Sequence, residues 1–303
     1  MREISCSLCG SDARKLLIQG FDHSFSQNTQ TYTLYSCSRC GLVYLNPQPN
    51  TPEELAAIYP PTYDSYMPEG QRLFMAIRQL AWRPEIDEIV RYTQPDSKIL
   101  EVGCATGEFL AALRHRGRRS LVGVEFSAEA AALARQRYGL DVRVGDLLDA
   151  DLPDRMFDLI LLRHVLEHVP DPRATLQRIA ALLRPGGLCI FTIPNIDSHT
   201  AELFSADWYG YQIPHHFHLF PRRALALLLT LAGLQPLRVH YIATPNIWIG
   251  SLRFWLIARG KSQFARFLTY RNPFALALFT PLGLLSALLR SSGVIRVVVQ
   301  RPL

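Results

Sequence analysis

The chain has 303 residues, 49% hydrophobic and 19% charged, a globular composition that excludes a disordered chain and suffices for one large domain plus a small one. A formal net charge of +6 suits an anionic substrate, a membrane surface or RNA, but the basic residues are spread with no long tract, which argues against a nucleic-acid tail. The opening Met1-Arg-Glu-Ile-Ser-Cys has no apolar core of signal-peptide length, so the expected compartment is the cytoplasm, where the six cysteines read as metal ligands or core residues rather than disulfides.

Residues 1–48 hold Cys6-Ser-Leu-Cys9-Gly10 and Cys37-Ser-Arg-Cys40-Gly41, with 27 residues between the two knuckles. Four thiolates brought together by two tight, glycine-assisted turns match the tetrahedral sulfur set of a closed structural zinc site, so Cys6, Cys9, Cys37 and Cys40 are the expected metal ligands, with iron as the minor alternative. Alternation at Tyr32-Thr-Leu-Tyr35 reads as a strand. Residues 49–95 read as a helical linker, with one helix opening at Thr51-Pro-Glu-Glu and broken at Tyr59-Pro-Pro, and a second over 71–92 with Leu73, Ile77, Leu80, Ile86, Ile89 and Val90 on its apolar side.

From residue 96 the pattern becomes strand, loop and helix in alternation. Strands are expected at 98–102, 121–124, 141–144, 157–162 and 188–193, and helices at 108–116, 128–138 and 172–183, the last closed by Arg184-Pro-Gly-Gly187. Apolar strands alternating with helices predict an α/β doubly wound, mostly parallel sheet covered on both faces. A helix at 220–232 and strands at 236–241 and 294–299 complete the pattern, separated by an apolar, arginine-bearing stretch at about 243–292.

The strand Ile99-Leu-Glu-Val102 runs into Gly103-Cys-Ala-Thr-Gly107 ahead of a helix. Gly103 permits a tight turn, Gly107 the close approach of a backbone or ligand, and the helix start offers free N–H groups. No Gly-Lys-Ser/Thr follows, which excludes a P-loop. Glu101-x-Gly103-x-x-x-Gly107 resembles the first motif of the class I S-adenosylmethionine-dependent methyltransferases. Glu125 ends the next strand, 18 residues after Gly107, where a carboxylate can hold ribose hydroxyls. Gly145-Asp146 ends the third, Phe157 to Leu162 resembles the fourth-strand motif, and Arg184 to Gly187 the turn before the fifth. The resemblance, over about 95–242 and 293–301, implies a Rossmann-like seven-stranded sheet binding S-adenosylmethionine. Its cofactor residues would be Glu101, Gly103, Cys104, Ala105, Gly107, Glu125, Gly145, Asp146, Leu147, Arg163 and His164. Cys104 and Cys189 also read as small buried residues.

Methyl transfer from a sulfonium needs alignment and, for many acceptors, a base, a task suited to histidine. Arg163-His-Val-Leu-Glu-His168 follows the fourth strand and Pro214-His-His-Phe-His218 the fifth. His215, His216 and His218 are the candidate catalytic bases, with core packing the alternative for each and a metal site less favoured. Trp208, Tyr209 and Tyr211 read equally as acceptor-pocket walls or core.

A zinc ribbon before this domain resembles methyltransferases of deoxysugar and surface-polysaccharide pathways. In place of the Tyr-His-Glu-His-like stretch of the sugar C-methyltransferases stands Pro214-His-His-Phe-His218, which favours O-methylation of a sugar, glycan or lipid-linked small molecule. Alternatives are a ribosomal RNA methyltransferase, a nucleotide-sugar C-methyltransferase, or a non-catalytic cofactor-binding module. The 243–292 insertion interleaves Arg253, Arg259, Lys261, Arg266 and Arg271 with Trp and Phe. It reads as a lid, a dimer contact, or helices lying in a membrane interface, the last implying a peripheral location on the inner face of the membrane.

Overall fold

Between residues 98 and 194 the apolar runs form strands whose alternate side chains enter two separate cores. The computed structural model describes residues 1–21, 30–58 and 72–303. The parallel strands are β4 (Lys98–Val102), β5 (Ser120–Glu125), β6 (Asp141–Val144), β7 (Phe157–Arg163) and β8 (Leu183–Pro194). With β10 (Gln235–Tyr241) and β11 (Val294–Gln300) they make a seven-stranded sheet of order β10-β11-β8-β7-β4-β5-β6. Only β11 runs against its neighbours, pairing antiparallel with both β8 and β10. The sheet is the expected doubly wound one.

The period of two along each strand divides the core. Ile99, Leu159 and Leu161 face Ile86 and Ile89 of α2 (Arg72–Tyr92), Leu110 of α3 (Glu108–His115) and Ala131 and Ala134 of α4 (Ala128–Tyr138). Leu100, Ile160 and Leu162 face α5 (Pro172–Leu182) and α7 (Arg222–Leu231) on the other side. Local signals start these helices: Ser127 and Asp171 cap α4 and α5 by accepting from the N–H groups of Ala130 and Ala174, and Gly139 ends α4 at a φ of 57°. A buried ion network holds α2 against the sheet, with Arg296 of β11 paired to Glu85 and Glu88, and Arg163 of β7 paired to Glu85.

The first segment forms a second sheet from β1 (Arg14–Phe21), β2 (Thr31–Cys37) and β3 (Val43–Leu45), followed by α1 (Pro52–Ile58). Its fourth strand comes from far along the chain. The two-residue β9 (His218–Leu219) pairs with β3, with Tyr44 opposite His218 and Val43 opposite Leu219. The small segment is thus stitched to the large one by backbone hydrogen bonds, and Leu8, Leu42 and Tyr44 share a core with α5 and α7.

Two expectations change. Leu80 is 58% exposed, so it does not share the buried side of α2 with Ile86 and Ile89. The Arg184–Gly187 turn lies within β8, where the pairing with β7 shifts between Phe157 and Leu159. The break at Tyr59-Pro-Pro, and the side chains of Leu73 and Ile77, lie outside the described residues. The apolar insertion is helical: α6 (His199–Phe204) packs near α8 (Pro245–Ala258), which α9 (Ser262–Ala265) and α10 (Pro273–Leu288) follow before β11.

Gly107 serves helix packing. Its φ is 83°, and a Cβ there would stand 2.6 Å from Leu140 Cδ1 and 2.9 Å from Ala134 Cβ, so α3 and α4 can approach only with glycine at this position. Gly107→Ala should lose on the order of 1–3 kcal/mol through strain and overpacking. Thermal unfolding should show a fall of several degrees; an unchanged midpoint would contradict this packing.

Candidate functional site

The carboxyl ends of β4, β5, β6 and β7 meet along one edge, the side on which open α/β sheets bind ligands. After β4 the chain turns through Gly103 at φ 68° and Ala105 at φ 46°. A Cβ on Gly103 would lie 2.5 Å from Val165 Cγ2, so glycine lets the loop sit against the segment that follows β7. The loop is fixed from the neighbouring strand. Glu125, last residue of β5 and 5% exposed, accepts the Ala105 N–H on Oε2 (2.7 Å) and the Ser127 N–H on Oε1 (2.9 Å). Burial raises its pKa while these N–H groups pull it down. Each oxygen keeps a second lone pair for a ligand hydroxyl.

Glu101 lies beneath the loop, 2% exposed. Burial pushes its carboxyl up to about 8, against the pull of Arg163, whose guanidinium is 3.9 Å from Oε1. Oε2 is buried without a hydrogen-bond partner. An orphaned buried acid oxygen beside a glycine turn fits the ammonium of an amino-acid moiety, whose positive charge would favour the ionised carboxylate. Gly145, at φ 125°, donates its N–H to the Glu125 carbonyl. Asp146 caps its own turn by accepting the Leu148 N–H at 2.8 Å, and its other oxygen is free of that bond. Leu147 is buried in the core, while Leu148 is 43% exposed.

Two expected cofactor residues are turned elsewhere. The Cys104 thiol points down against β5, where a Cβ on Gly123 would meet its Sγ at 2.5 Å, so only its backbone belongs to the loop surface. The Arg163 guanidinium stacks 3.8 Å from the Phe109 ring centroid and 4.8 Å from that of Trp82, among the ion pairs that hold α2. One residue escaped the motif reading. Phe126, directly after Glu125, is 67% exposed at the rim, an aromatic face free to stack on a base. A Glu-Phe pair at a strand end was the signal available for it.

After β7, His164 takes φ 58° and its ring is half exposed. Its Nδ1 is 3.1 Å from Oε1 of Glu167, a carboxylate that is 0% exposed. The neighbouring His164 charge and hydrogen bond lower the Glu167 pKa against the effect of burial. A fully buried carboxylate that holds one imidazole nitrogen fixes the ring's tautomer and leaves Nε2 for other work.

His215, His216 and His218 are 1%, 2% and 0% exposed, so the structure places them inside the wall rather than at the rim. The His215 carbonyl accepts from His168 Nδ1 at 2.9 Å. His216 Nδ1 donates to the Gly210 carbonyl at 2.8 Å, and burial pushes its pKa down to about 3. His218 Nδ1 donates to the Val169 carbonyl (3.1 Å), so Nε2 accepts the Ser7 hydroxyl (2.9 Å), and burial drives its pKa to about 4. A base must reach the proton that it takes, and burial keeps these rings from an acceptor in the cleft. Trp208 is core, 1% exposed, with its indole N–H on Thr200 Oγ1, and Tyr209 packs against Gly250 and Phe254 of the insertion.

The Sγ atoms of Cys6, Cys9, Cys37 and Cys40 all lie within 4.8 Å of one another. Cys6 and Cys40 are 3.5 Å apart and Cys9 and Cys37 3.6 Å, too long for disulfides and close to the ~3.8 Å edge of a tetrahedron with metal–sulfur bonds of about 2.3 Å. The donor set fits a zinc ion. Among the described residues Glu167, His168 and His216 form the other cluster with ligand-type atoms within 4.8 Å.

This fold and rim define a nucleotide-type cofactor site at the ends of a doubly wound sheet. The chain belongs to the family described as methyltransferase domain, whose model matches residues 74–239, and it is an S-adenosylmethionine-dependent methyltransferase. It is 28% identical over 179 residues to the ubiquinone biosynthesis O-methyltransferase of Alkalilimnicola ehrlichii, covering 51% of this chain and 71% of that one. It is 29% identical over 107 residues to the protein of the same name from Neisseria meningitidis, covering 32% and 44%. In fold it is similar to an S-adenosylmethionine-dependent methyltransferase from Thermotoga maritima, with a TM-score of 0.51, 19% identity, and coverage of 81% of this chain and 99% of that one.

Replacing Glu125 by Ala removes two charge-assisted loop bonds and the carboxylate expected to hold ribose hydroxyls, and should weaken S-adenosylmethionine binding at least ~10-fold, from about 1.5–3 kcal/mol per such bond. Asp146→Ala and Phe126→Ala should weaken it less. Calorimetric titration measures all three; equal affinity in the Glu125 variant would remove this site from consideration.

Proposed function

We propose that this enzyme methylates a hydroxyl group on a lipid-linked small molecule or glycan, with His164 as the base. The reading is carried by one observation, a half-exposed imidazole held at Nδ1 by the fully buried Glu167 carboxylate next to the cofactor loop. S-adenosylmethionine supplies a methyl group on a sulfonium, a leaving group that needs no further activation. Glu125 and Asp146 would hold the nucleoside end, Phe126 would offer its exposed ring to the base, and Glu101 would meet the ammonium. His164 Nε2 would take the proton that the acceptor hydroxyl loses as its oxygen replaces the sulfonium sulfur on the methyl group, and Glu167 would stabilise the resulting imidazolium.

Oxygen as the methylated atom is supported by relatives named as ubiquinone biosynthesis O-methyltransferases. Lipid attachment is supported by the apolar character of the insertion that flanks Tyr209. We place the enzyme at the inner surface of a membrane; among the described residues no helix is long and apolar enough to cross one. The sugar-pathway reading rests on the resemblance of the paired knuckles. Four thiolates in tetrahedral reach support a structural zinc ion, which would supply much of the stability of a segment with little core of its own.

His164→Ala should lower kcat by on the order of 100-fold while leaving cofactor affinity within a few-fold, and Glu167→Gln should fall between it and the parent. Turnover over a panel of prenylated phenols, lipid-linked glycans, nucleotide sugars and ribosomal RNA tests the acceptor. Transfer to RNA alone, or undiminished kcat in the His164 variant, would defeat the reading. Metal analysis should find about one zinc per chain, and Cys37→Ser should reduce it and lower the unfolding midpoint; full stability after complete metal removal would discount a structural role.

A further inference from the structure

Helix α10 is built inside out. The residues it turns toward the protein are Ala275, Phe279, Gly283 and Ser286, three of them small. They allow close contact: a Cβ on Gly283 would lie 3.2 Å from the Pro245 backbone nitrogen, and Ser286 Oγ accepts the Trp248 indole N–H at 3.2 Å. The large apolar residues point away from the protein, with Phe274, Leu278, Leu285 and Leu288 at 83%, 70%, 51% and 80% exposure. Phe264 of α9 and Phe267 just beyond it, each 58% exposed, add to the same insertion. Scattered exposed leucines are ordinary, but a whole helix face of them marks a surface that meets another phase.

Charge identifies that phase. All 26 Asp and Glu residues fall at or before Asp207, whereas the stretch from Trp208 to the C-terminus carries eleven Arg and Lys and no acidic side chain. Four of those cations, Lys261, Arg266, Arg271 and Arg290, bracket α9 and α10 in sequence, and the Arg266 guanidinium lies 4.8 Å from the Phe267 ring. A protein partner would need an acidic rim around an apolar patch of its own, and a second copy of this chain would set these cations against one another. An apolar helix face whose bracketing charges along the chain are all cations, with the one nearby acid Asp207 already paired to Arg259, matches an acyl boundary beneath anionic headgroups.

We infer that the exposed faces of α9 and α10 dock the enzyme on an anionic lipid bilayer, the apolar side chains entering the headgroup–acyl boundary and the flanking cations meeting lipid phosphates. This extends the lipid-linked acceptor reading, yet its test reads attachment and not catalysis, so either can fail alone.

The full-length, zinc-loaded protein is floated with vesicles of phosphatidylcholine with and without phosphatidylglycerol over a salt series. Flotation should require phosphatidylglycerol and decline as salt rises. Each of Arg266→Ala and Arg271→Ala should weaken partition about five-fold, and Phe274→Glu with Leu278→Glu should abolish it. Cofactor affinity measured by calorimetry should stay at the parent's value in every variant, which establishes that each is folded. Flotation of the Phe274/Leu278 double variant equal to the parent overturns the inference. So does failure to float together with a concentration-dependent dimer that Leu278→Glu dissociates, since the face would then be a self-association surface.

Discussion

The backbone pairing of His218–Leu219 with Val43–Tyr44 ties the N-terminal sheet to the segment after β8 and, through it, to the segment that carries Glu167. The same short segment donates its Phe217 and His218 N–H groups to the Glu167 carbonyl, and the His218 ring joins Ser7 to Val169. The Cys6–Cys40 module, the loop after β8 and the segment after β7 are therefore parts of one hydrogen-bonded layer. A neutral, fully buried imidazole suits that position because it donates at one nitrogen and accepts at the other without carrying charge into the core. Hydrogen bonds in such a layer support each other, and losing one partner exposes the rest to the cost of an unsatisfied buried group.

This arrangement explains which features were legible in the chain. The convergence of Glu101, Glu125 and Asp146 on one edge was, because each lies at or near the carboxyl end of its strand and successive parallel strands bring those ends together regardless of distant contacts. The knuckles were, since each is local to five residues, Cys6–Gly10 and Cys37–Gly41. The histidines were not. Whether His215, His216 and His218 face solvent or core depends on a strand contributed from some 170 residues away, and no period or spacing reports that contact. His164 was read as a cofactor neighbour for its place after β7, while its carboxylate support became visible only once the turn at φ 58° set the ring against Glu167. Arg163 offered a charge at a strand end, but Trp82, Phe109 and Glu85 claim it for the joint between α2 and the sheet.

The two halves of the molecule follow different physical rules. Up to Asp207 the chain alternates charge and apolar character as an α/β domain with helices on both faces of its sheet should. Within the insertion between β10 and β11, helix α10 inverts that logic, burying Ala275, Gly283 and Ser286 beside Phe279 and turning its leucines outward. The β10–β11 pair tolerates it because β11 is also paired along its length with β8 and so holds its edge neighbour β10 in place. An added helical unit there alters what the rim can meet without disturbing the strands that shape it.

Gly107 lies in a left-handed conformation for the sake of two helices, and the adjoining turn is tied by Glu125 to a neighbouring strand. The shape of the pocket floor is therefore set during folding and does not wait for a nucleotide to arrive. Little ordering entropy remains to be lost when one binds, so contacts made by the floor go almost wholly into affinity.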